Sequence, residues 1–433
     1  MTLSIRIGIT IIVITLALTL PGASVTLTLN NGVSASISGP DSVEGSSTAA
    51  GQQIYATGSI QTAVNAADPG TDIFLKPKVY FENVLVDKSV NIIGKGPTQT
   101  IVDGGHKDSV FTIGTIDPTA DVTLASMGIR NGYQIAGAGV YNEAGYGGTG
   151  SLTMKNCDVY RNDAEIYGGG GITNVGTMTI ESCNIYRNTA STADGDNWGG
   201  GIENGGTLDI KNSNIYRNTA YYGGGIANVP GLSSSRALIP GVITITNSKI
   251  FGNTAIADAF GSGGYGGGIA NYYGDDPTSV KTDLVSTAIY DNTAVYGGGG
   301  IFNWGGTVIM DSGSSITKNV AGNGGGIYNG DLYGASGYSP VVDMEGGSIS
   351  ANTAKVDSSG TMGYGGGIYN DGYFYGYNSG AILNLNGGSI TGNKATAPVQ
   401  APGGGIYNNR GTILPTIPTT SVTGNIPDNS VSI

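Results

Sequence analysis

The sequence has little of what most catalytic and metal centres are made from. Its 433 residues include one histidine and two cysteines. Metal sites built from clustered Cys and His ligands are therefore excluded. Only 12% of the residues are charged while 39% are hydrophobic, a balance that excludes a chain kept disordered by its charge.

Further absences remove whole classes of protein. Proline is scarce, at 15 residues, and no strict Gly-X-Y period occurs, which excludes collagen. Heptads of apolar residues are missing, which excludes a long coiled coil. The net charge of −12 would repel phosphate backbones, so we expect no nucleic-acid partner.

The N-terminal segment resembles an export signal. Arg6 is followed by an uncharged run from Ile7 to Leu20 and then by small residues up to Ser24. This run is shorter than the roughly 20 residues of a membrane-spanning helix. We predict a signal peptide over residues 1–24, a secreted or cell-surface location, and no membrane span in the mature chain. An uncleaved anchor is the alternative.

Glycine is abundant, at 77 residues, and much of it lies in a repeated motif, Gly-Gly-Gly-Ile-x-Asn. The motif occurs nine times, the first copy in a variant form, with its last residue at Asn142, Asn174, Asn204, Asn228, Asn271, Asn303, Asn329, Asn370 and Asn408. A second motif, Ile/Val-x-x-Asn, follows each copy and ends at Asn162, Asn188, Asn218, Asn253, Asn292, Asn319, Asn352, Asn393 and Asn425. Short alternating runs between the motifs indicate strands, and in Gly225-Ile226-Ala227-Asn228 and its copies we expect the isoleucine to point inward. The asparagine of the second motif can bond its own backbone and its equivalent in the next coil, which predicts an asparagine ladder along the column.

The spacing of the repeats predicts stacked coils. Extra residues fall at only two places in the unit, which marks those places as loops. A unit as short as that from Asn204 to Asn228 cannot bury its own apolar face, so neighbouring units must cover one another. We predict a parallel β-helix over 59–433 with about twelve coils roughly 4.8 Å apart. Residues 59–67 predict a capping helix with Ser59 as N-cap, and 25–58 form an extension or cap.

Two sets of residues resemble known families. Residues 59–104, with Gln61-Thr62-Ala63-Val64-Asn65 and Ile101-Val102-Asp103-Gly104, resemble the opening coils of the pectate-lyase-like superfamily. The nine glycine-rich units resemble repeats of chlamydial polymorphic outer-membrane proteins and of adhesin-like surface proteins of methanogens. The resemblance implies an all-β, right-handed parallel β-helix. That superfamily includes lyases, esterases, hydrolases and non-catalytic surface proteins, so the resemblance implies no single activity.

Cys157 and Cys183 occupy equivalent positions on successive units, and Ser213 and Ser248 continue the column. Adjacent coils would place the two cysteines within disulfide range. Two interpretations stay open: an inward stack of small side chains, or a disulfide that joins two coils.

Calcium is the one cofactor that the sequence suggests. Asp194 and Asp196, with Glu203 nearby, supply the hard oxygen ligands that calcium prefers. The segment lacks the full spacing of a known calcium loop, and a plain polar corner loop is the alternative.

Exposed columns of aromatic and basic residues form the predicted ligand-binding surface. Equivalent positions on five coils hold Tyr160, Tyr186, Tyr216, Phe251 and Tyr290, and the first three are followed by Arg161, Arg187 and Arg217. Stacked arginines repel one another unless negative charge compensates them. Asp158, Asp163 and Glu165 of the chain are one source of that charge, and an acidic polysaccharide such as a uronate or a sulfated glycan is the other, which makes it a candidate partner. A second column holds Phe302, Tyr328, Tyr369 and Tyr407. Either column would suit stacking on sugar rings or contact between rods, although tyrosine also simply favours strands.

The leading prediction is a secreted or cell-surface structural, adhesin-like rod that binds a glycan or self-associates through its ends or aromatic columns. An extracellular polysaccharide lyase or hydrolase is the alternative, with Asp209, Asp283 and Asp343 as candidate carboxylates. No motif identifies a catalytic residue. The lone His106 lies in a glycine-rich turn and is expected to be solvated.

Overall fold

The structure is a computed structural model. It describes residues 51–433 except 147, 191–196, 233–237, 273–279, 332–338, 357–360, 375–376, 379, 398–401, 416–419 and 433. In the first 50 residues it describes the backbone of five strands, which form antiparallel pairs: Thr2–Ile7 with Thr10–Thr15, Val25–Thr28 with Ser34–Ile37, and Val43–Thr48 with Gly51–Ala56.

Four sheets run along the molecule, numbered here in the order in which one coil visits them. Sheet 1 contains Val43–Thr48, Gly51–Ala56, Thr71–Leu75, Val90–Ile93, Asp121–Ala125, Ser151–Lys155, Thr177–Glu181, Thr207–Lys211, Gly241–Thr246, Val280–Val285, Thr307–Met310, Val341–Met344, Ile382–Leu385 and Thr412–Leu414. Sheet 2 contains Val79–Phe81, Ile101–Asp103, Gly128–Arg130, Asp158–Tyr160, Asn184–Tyr186, Asn214–Tyr216, Lys249–Phe251, Ala288–Tyr290, Ser315–Thr317, Ser348–Ser350, Ser389–Thr391 and Ser421–Thr423.

The other two sheets complete the coil. Sheet 3 contains Tyr133–Ala136, Asp163–Gly168, Thr189–Ala190, Thr219–Ala220, Thr254–Ala255, Thr293–Ala294, Val320–Ala321, Thr353–Ala354 and Lys394–Ala395. Sheet 4 contains Val84–Val86, Phe111–Ile113, Val140–Asn142, Ile172–Asn174, Ile202–Asn204, Ile226–Asn228, Ile269–Tyr272, Ile301–Trp304, Ile327–Gly330, Ile368–Asp371, Ile406–Asn409 and Ser430–Ser432. Two short antiparallel pairs lie in insertions: Gly231–Leu232 with Leu238–Ile239, and Tyr373–Phe374 with Tyr377–Asn378.

Each strand pairs in parallel with the equivalent strand of the next coil, apart from the antiparallel start of sheet 1. The predicted right-handed parallel β-helix is therefore confirmed, and the twelve strands of sheets 2 and 4 match the predicted number of coils. Side chains alternate along each strand, as Thr207–Lys211 illustrates with Leu208 and Ile210 buried. One continuous core of Ile, Val, Leu and Met side chains fills the interior, because each coil covers the apolar residues of its neighbour.

Two columns of buried asparagines also run through the interior. The second-motif asparagines, from Asn162 to Asn425, form the predicted ladder, in which each Nδ2 donates to the next Oδ1 at 2.9–3.1 Å. The first-motif asparagines, from Asn142 to Asn408, form another ladder, which the repeat pattern did not predict. Buried amides need such partners, and the repeat supplies one on every coil.

The glycine runs lie at the corner between sheets 3 and 4, and this corner requires glycine for two reasons. Gly223 has φ +63°, a conformation that side chains with a Cβ adopt at a cost. Gly225 has ordinary backbone angles, but a Cβ there would lie 2.5 Å from the carbonyl oxygen of Gly268 on the next coil. The corner therefore needs one glycine for its turn and another for the close approach of neighbouring coils.

The N-terminal end of the rod carries the predicted cap. The helix Ile60–Ala66 begins after Ser59, whose Oγ accepts a hydrogen bond from the Thr62 amide at 3.1 Å. Its apolar side chains cover the core of the first coil. The strand Gly51–Ala56 precedes the helix and pairs in parallel with Thr71–Leu75, so sheet 1 begins before the helix.

In sequence, the insertions fall on either side of the sheet 4 strands, and several of them contain residues outside the described part of the chain. One group precedes the glycine run and the other follows the strand of sheet 4, as in 229–241. Within the described residues, no helix is long and apolar enough to cross a membrane.

Candidate ligand-binding surface

Five aromatic side chains form a regular stack on the outer face of sheet 2. The strands pair in register, so Tyr160, Tyr186, Tyr216, Phe251 and Tyr290 occupy one column. Successive ring centroids are 4.9–5.1 Å apart, and the ring planes are within 7° of parallel. We call these five residues the tyrosine ladder. The structure thus brings together the whole predicted aromatic column.

A ligand can contact only the ring edges and the hydroxyl groups of the inner tyrosines, because both faces of each inner ring are covered by the rings above and below. The rings are half-buried. Burial raises the pKa of Tyr186 to about 12, and the carboxylate of Asp158 and the neighbouring tyrosines add to the shift. The phenol therefore stays protonated and can donate a hydrogen bond at neutral pH. Stacking of a sugar on an inner ring of this ladder is excluded by its geometry.

Arg161, Arg187 and Arg217 lie at the corner that follows the ladder positions, and all three are exposed. Their φ angles are 56°, 55° and 56°, in the left-handed region. Among the described residues, none of the three forms an ion pair. Three like charges thus recur on adjacent coils, beside the first three tyrosines of the ladder. We call Tyr160, Arg161, Tyr186, Arg187, Tyr216 and Arg217 the Tyr–Arg strip.

Other coils mostly place different residues at this corner. The equivalent left-handed positions hold Asn131, Gly252, Asp291, Lys318, Ala351, Gly392 and Gly424. Glycine, asparagine and aspartate tolerate the left-handed conformation, whereas arginine has a Cβ and no local compensation for it. The three arginines therefore depart from the local preference and add mutual repulsion, a departure typical of functional positions.

The predicted calcium residues are only partly described. Asp194 and Asp196 lie outside the described residues. Glu203 occupies the outward middle position of its sheet 4 strand, where its Oε2 accepts a hydrogen bond from Thr173 Oγ1 at 3.2 Å. Burial raises the pKa of Glu203 to about 8, so its protonated form would have to lose a proton to bind a cation. No cluster of three acidic, Cys or His side chains occurs in the described part of the chain. The calcium site stays a prediction.

Cys157 and Cys183 are buried on adjacent coils as free thiols. The Cys157 amide donates to Cys183 Sγ at 3.3 Å, and the Cys183 amide donates to Ser213 Oγ at 3.0 Å. Burial raises the pKa of the Cys157 thiol. The column is an inward stack of small side chains as the structure describes it, and the disulfide stays a prediction.

The candidate carboxylates of the enzyme alternative do not form an adjacent pair. In sheet 1, Thr244 separates Asp209 from Asp283, and Ile309 separates Asp283 from Asp343. Neighbouring candidates are therefore two coils, or roughly 10 Å, apart along the sheet. Lys211 and Lys281 pair with the first two aspartates. His106 lies in a turn with φ 57°, with its ring centroid 4.3 Å from that of Tyr133.

The second predicted aromatic column is mostly buried. Phe302 and Tyr328 pack with Ala270 and Trp304 in a cluster on the outer face of sheet 4. Tyr328 Oη donates to Asp371 Oδ2 at 2.6 Å, and burial raises the pKa of Asp371 to about 6. Only the partly exposed Tyr369 and Tyr407 extend this column outward. The ring centroids of Tyr265, Trp304 and Tyr328 lie 4.7–6.0 Å from that of Phe302.

No protein-family model and no curated protein matches the chain. Among solved structures, the chain is similar to one titled "Crystal structure of pectate lyase Pel9A", with 14% identity and a TM-score of 0.37. That match covers 87% of this chain and 74% of the other. The pairing of its own strands defines the molecule as a parallel β-helix protein. The resemblance to chlamydial and methanogen repeats stays a prediction.

Proposed function

We propose that this protein is a secreted or cell-surface rod that binds an acidic polysaccharide along its Tyr–Arg strip. One observation carries the proposal: three exposed guanidinium groups without described ion pairs recur on adjacent coils beside phenol hydroxyls. A carboxylate or sulfate group accepts two parallel hydrogen bonds from a guanidinium group. A polymer with regularly spaced anionic groups can contact several coils at once, so weak contacts add up to useful affinity.

The charge of the whole chain supports the choice of this face. With a net charge of −12, most of the surface repels an acidic polymer. The strip is a local exception that would select the orientation of the bound chain. The continuous core and the two asparagine ladders suit a stiff support for such a surface. The N-terminal segment supports export, which would bring the strip into contact with extracellular glycans.

Binding can be tested with immobilised polygalacturonate and a sulfated glycan, with a neutral glucan as the comparison. The full chain should bind the acidic polymers, and binding should weaken as salt increases. A triple variant, Arg161→Gln, Arg187→Gln and Arg217→Gln, should lose most of this binding. The matched control is Lys155→Gln, Lys211→Gln and Lys249→Gln, which removes the same charge from other columns. Equal loss in both triple variants, or no binding by the parent, would contradict the proposal.

The same assay separates binding from catalysis. Release of soluble oligosaccharides from the immobilised polymer would instead support the lyase or hydrolase alternative. Export can be tested by expressing the full chain and determining the N-terminus of the product by mass spectrometry. Cleavage near residue 24 is expected, and an intact N-terminus on all of the product would contradict the signal-peptide prediction.

A further inference from the structure

A cleft of about 310 Å³ lies near the N-terminal end of the rod, between sheets 3 and 4. Tyr133–Ala136 is the outermost strand of sheet 3, and its pairing with Asp163–Gly168 shifts register between Gln134 and Ala136. Both strands are longer than the two-residue strands of the later coils, so they extend beside sheet 4 and form a wall there. The opposite wall includes Thr112 and Tyr141 of sheet 4.

The cleft has aromatic side chains of a different kind from the tyrosine ladder. Tyr141 and Tyr167 both line it, and Tyr167 is 64% exposed. Neither ring is stacked on another described ring, whereas the inner rings of the tyrosine ladder are covered on both faces. The exposed ring of Tyr167 is therefore accessible to the apolar C–H face of a sugar ring, and the half-buried Tyr141 lies beside it in the cleft lining. Exposed Ile135 extends this apolar rim.

Polar groups lie beside these rings. Asp108 Oδ1 accepts hydrogen bonds from the Ser109 amide at 2.7 Å and from Gln134 Nε2 at 2.5 Å. Gln134 Oε1 accepts from the Ile135 amide at 2.8 Å. These bonds fix the carboxylate and the amide in place, while Asp108 Oδ2 and the second Nε2 hydrogen of Gln134 can still bond a ligand. A fixed carboxylate and amide beside a ring face suit the hydroxyl groups of a sugar.

The surroundings of the cleft are acidic, which decides the charge of its ligand. Tyr141 Oη donates to Glu143 Oε1 at 2.9 Å. Glu165 and Asp163 act electrostatically on Tyr133, next to the lining residue Gln134. An anionic sugar would be repelled here, in contrast to the Tyr–Arg strip. The cleft volume is at the low end of the range for small-molecule sites, roughly 300–1,000 Å³.

We propose that this cleft is a second glycan-binding site, specific for one or two rings of an uncharged saccharide. Tyr141 and Tyr167 contact the sugar faces, and Asp108 and Gln134 bond the hydroxyl groups. The site is separate from the Tyr–Arg strip and does not depend on the proposed function of that strip.

Ligand-observed saturation-transfer NMR of the full chain tests this proposal, with cellobiose, maltose, laminaribiose and mannobiose as neutral probes and digalacturonate as the acidic comparison. We expect saturable binding of at least one neutral probe. Tyr167→Ala and Asp108→Asn should each weaken this binding by about tenfold, because each removes one main contact. Phe260→Ala is the matched control, since Phe260 is 90% exposed and does not line the cleft.

Circular dichroism should show that all of these surface variants keep the fold. The triple arginine variant should bind the neutral probe as the parent does, which separates this site from the strip. The proposal is overturned if no neutral probe binds. It is also overturned if the variants at Tyr167 and Asp108 bind like the parent, or if Phe260→Ala weakens binding as much as they do.

Discussion

Asn188 Oδ1 accepts two hydrogen bonds from Asn162 on the preceding coil, one from the backbone amide at 3.1 Å and one from Nδ2 at 3.0 Å. The same pair of bonds recurs along the column up to Asn425. Each asparagine therefore fixes both the side chain and the backbone corner of its neighbour.

Asn218→Ala should destabilise the fold by about 3 kcal/mol or more. The change removes the acceptor of the Asn188 amide and side chain. It also removes the Nδ2 donor to the Ile185 carbonyl and to Asn253 Oδ1, which keeps only the bond from the backbone amide of residue 218. Unsatisfied buried polar groups carry this cost. Urea unfolding measures the change in free energy. The control is Asn212→Gly, at an exposed left-handed position, which should cost less than about 1 kcal/mol. Similar costs for both variants would contradict a structural role of the ladder.

Gly252→Arg should extend the Tyr–Arg strip to a fourth coil. A Cβ at this position would meet only Arg217 Cγ, at 3.8 Å, so the side chain has room. The variant should bind acidic polysaccharide more tightly than the parent and should lose about 1 kcal/mol of stability to the left-handed conformation. Gly392→Arg, at the equivalent corner several coils away, is the control and should leave binding nearly unchanged. An equal gain in both variants would indicate attraction by total charge alone.

The stability of the chain should fall as the pH rises from about 5 to 8. Glu203 has a folded-state pKa of about 8, against 4.5 for an ordinary glutamate, because burial outweighs the hydrogen bond from Thr173. The folded state therefore binds the proton more tightly than the unfolded state, and this stabilisation is lost as the pH rises through the folded-state pKa. Thermal unfolding in a series of buffers measures the slope.

Glu203→Gln should flatten the part of this slope between about pH 6 and 8, since glutamine keeps the shape and does not titrate. Asp371, with a pKa of about 6 raised by burial, should still produce a decline at lower pH. Asp371→Asn should reduce only the decline below about pH 6, where Glu203 still contributes. Equal slopes between pH 6 and 8 for the parent and for Glu203→Gln would contradict the raised pKa of Glu203.

Both thiols should react with an alkylating reagent in denaturant without added reductant, as expected for the free Cys157 and Cys183. The mass of the exported chain measures the number of groups added. Cys183→Ser should cost little stability, because Ser213 already occupies the next place in the column. Labelling that requires prior reduction would establish the disulfide instead.

The sequence predicted correctly those features of the fold that each coil repeats from the one before it. The Ile-x-Asn spacing predicted the inward isoleucines and the parallel register, and the Ile/Val-x-x-Asn spacing predicted the ladder from Asn162. These features depend only on the period of the repeat. The Ser59 cap was also predictable, because a local hydrogen bond to the Thr62 amide defines it.

Features that depend on contacts between distant segments were not predictable. The alternation that placed Phe302 outward gave no sign that the rings of Tyr265, Trp304 and Tyr328 would pack around it, and it is fully buried. The cleft near Tyr141 depends on the longer strand Asp163–Gly168, whose length follows from packing beside another sheet. The raised pKa of Glu203 likewise depends on how its neighbours exclude water.

The unchanged register of Asn204 and Asn228 across coils has an evolutionary consequence. A gene duplication that copies one whole coil would add matching partners above and below the new segment, so neither neighbour would need to change. The length of the rod could therefore grow or shrink in steps of one coil. The number of arginines on the Tyr–Arg strip could change by the same route. The avidity for an acidic polymer would then change by the contribution of one coil at a time.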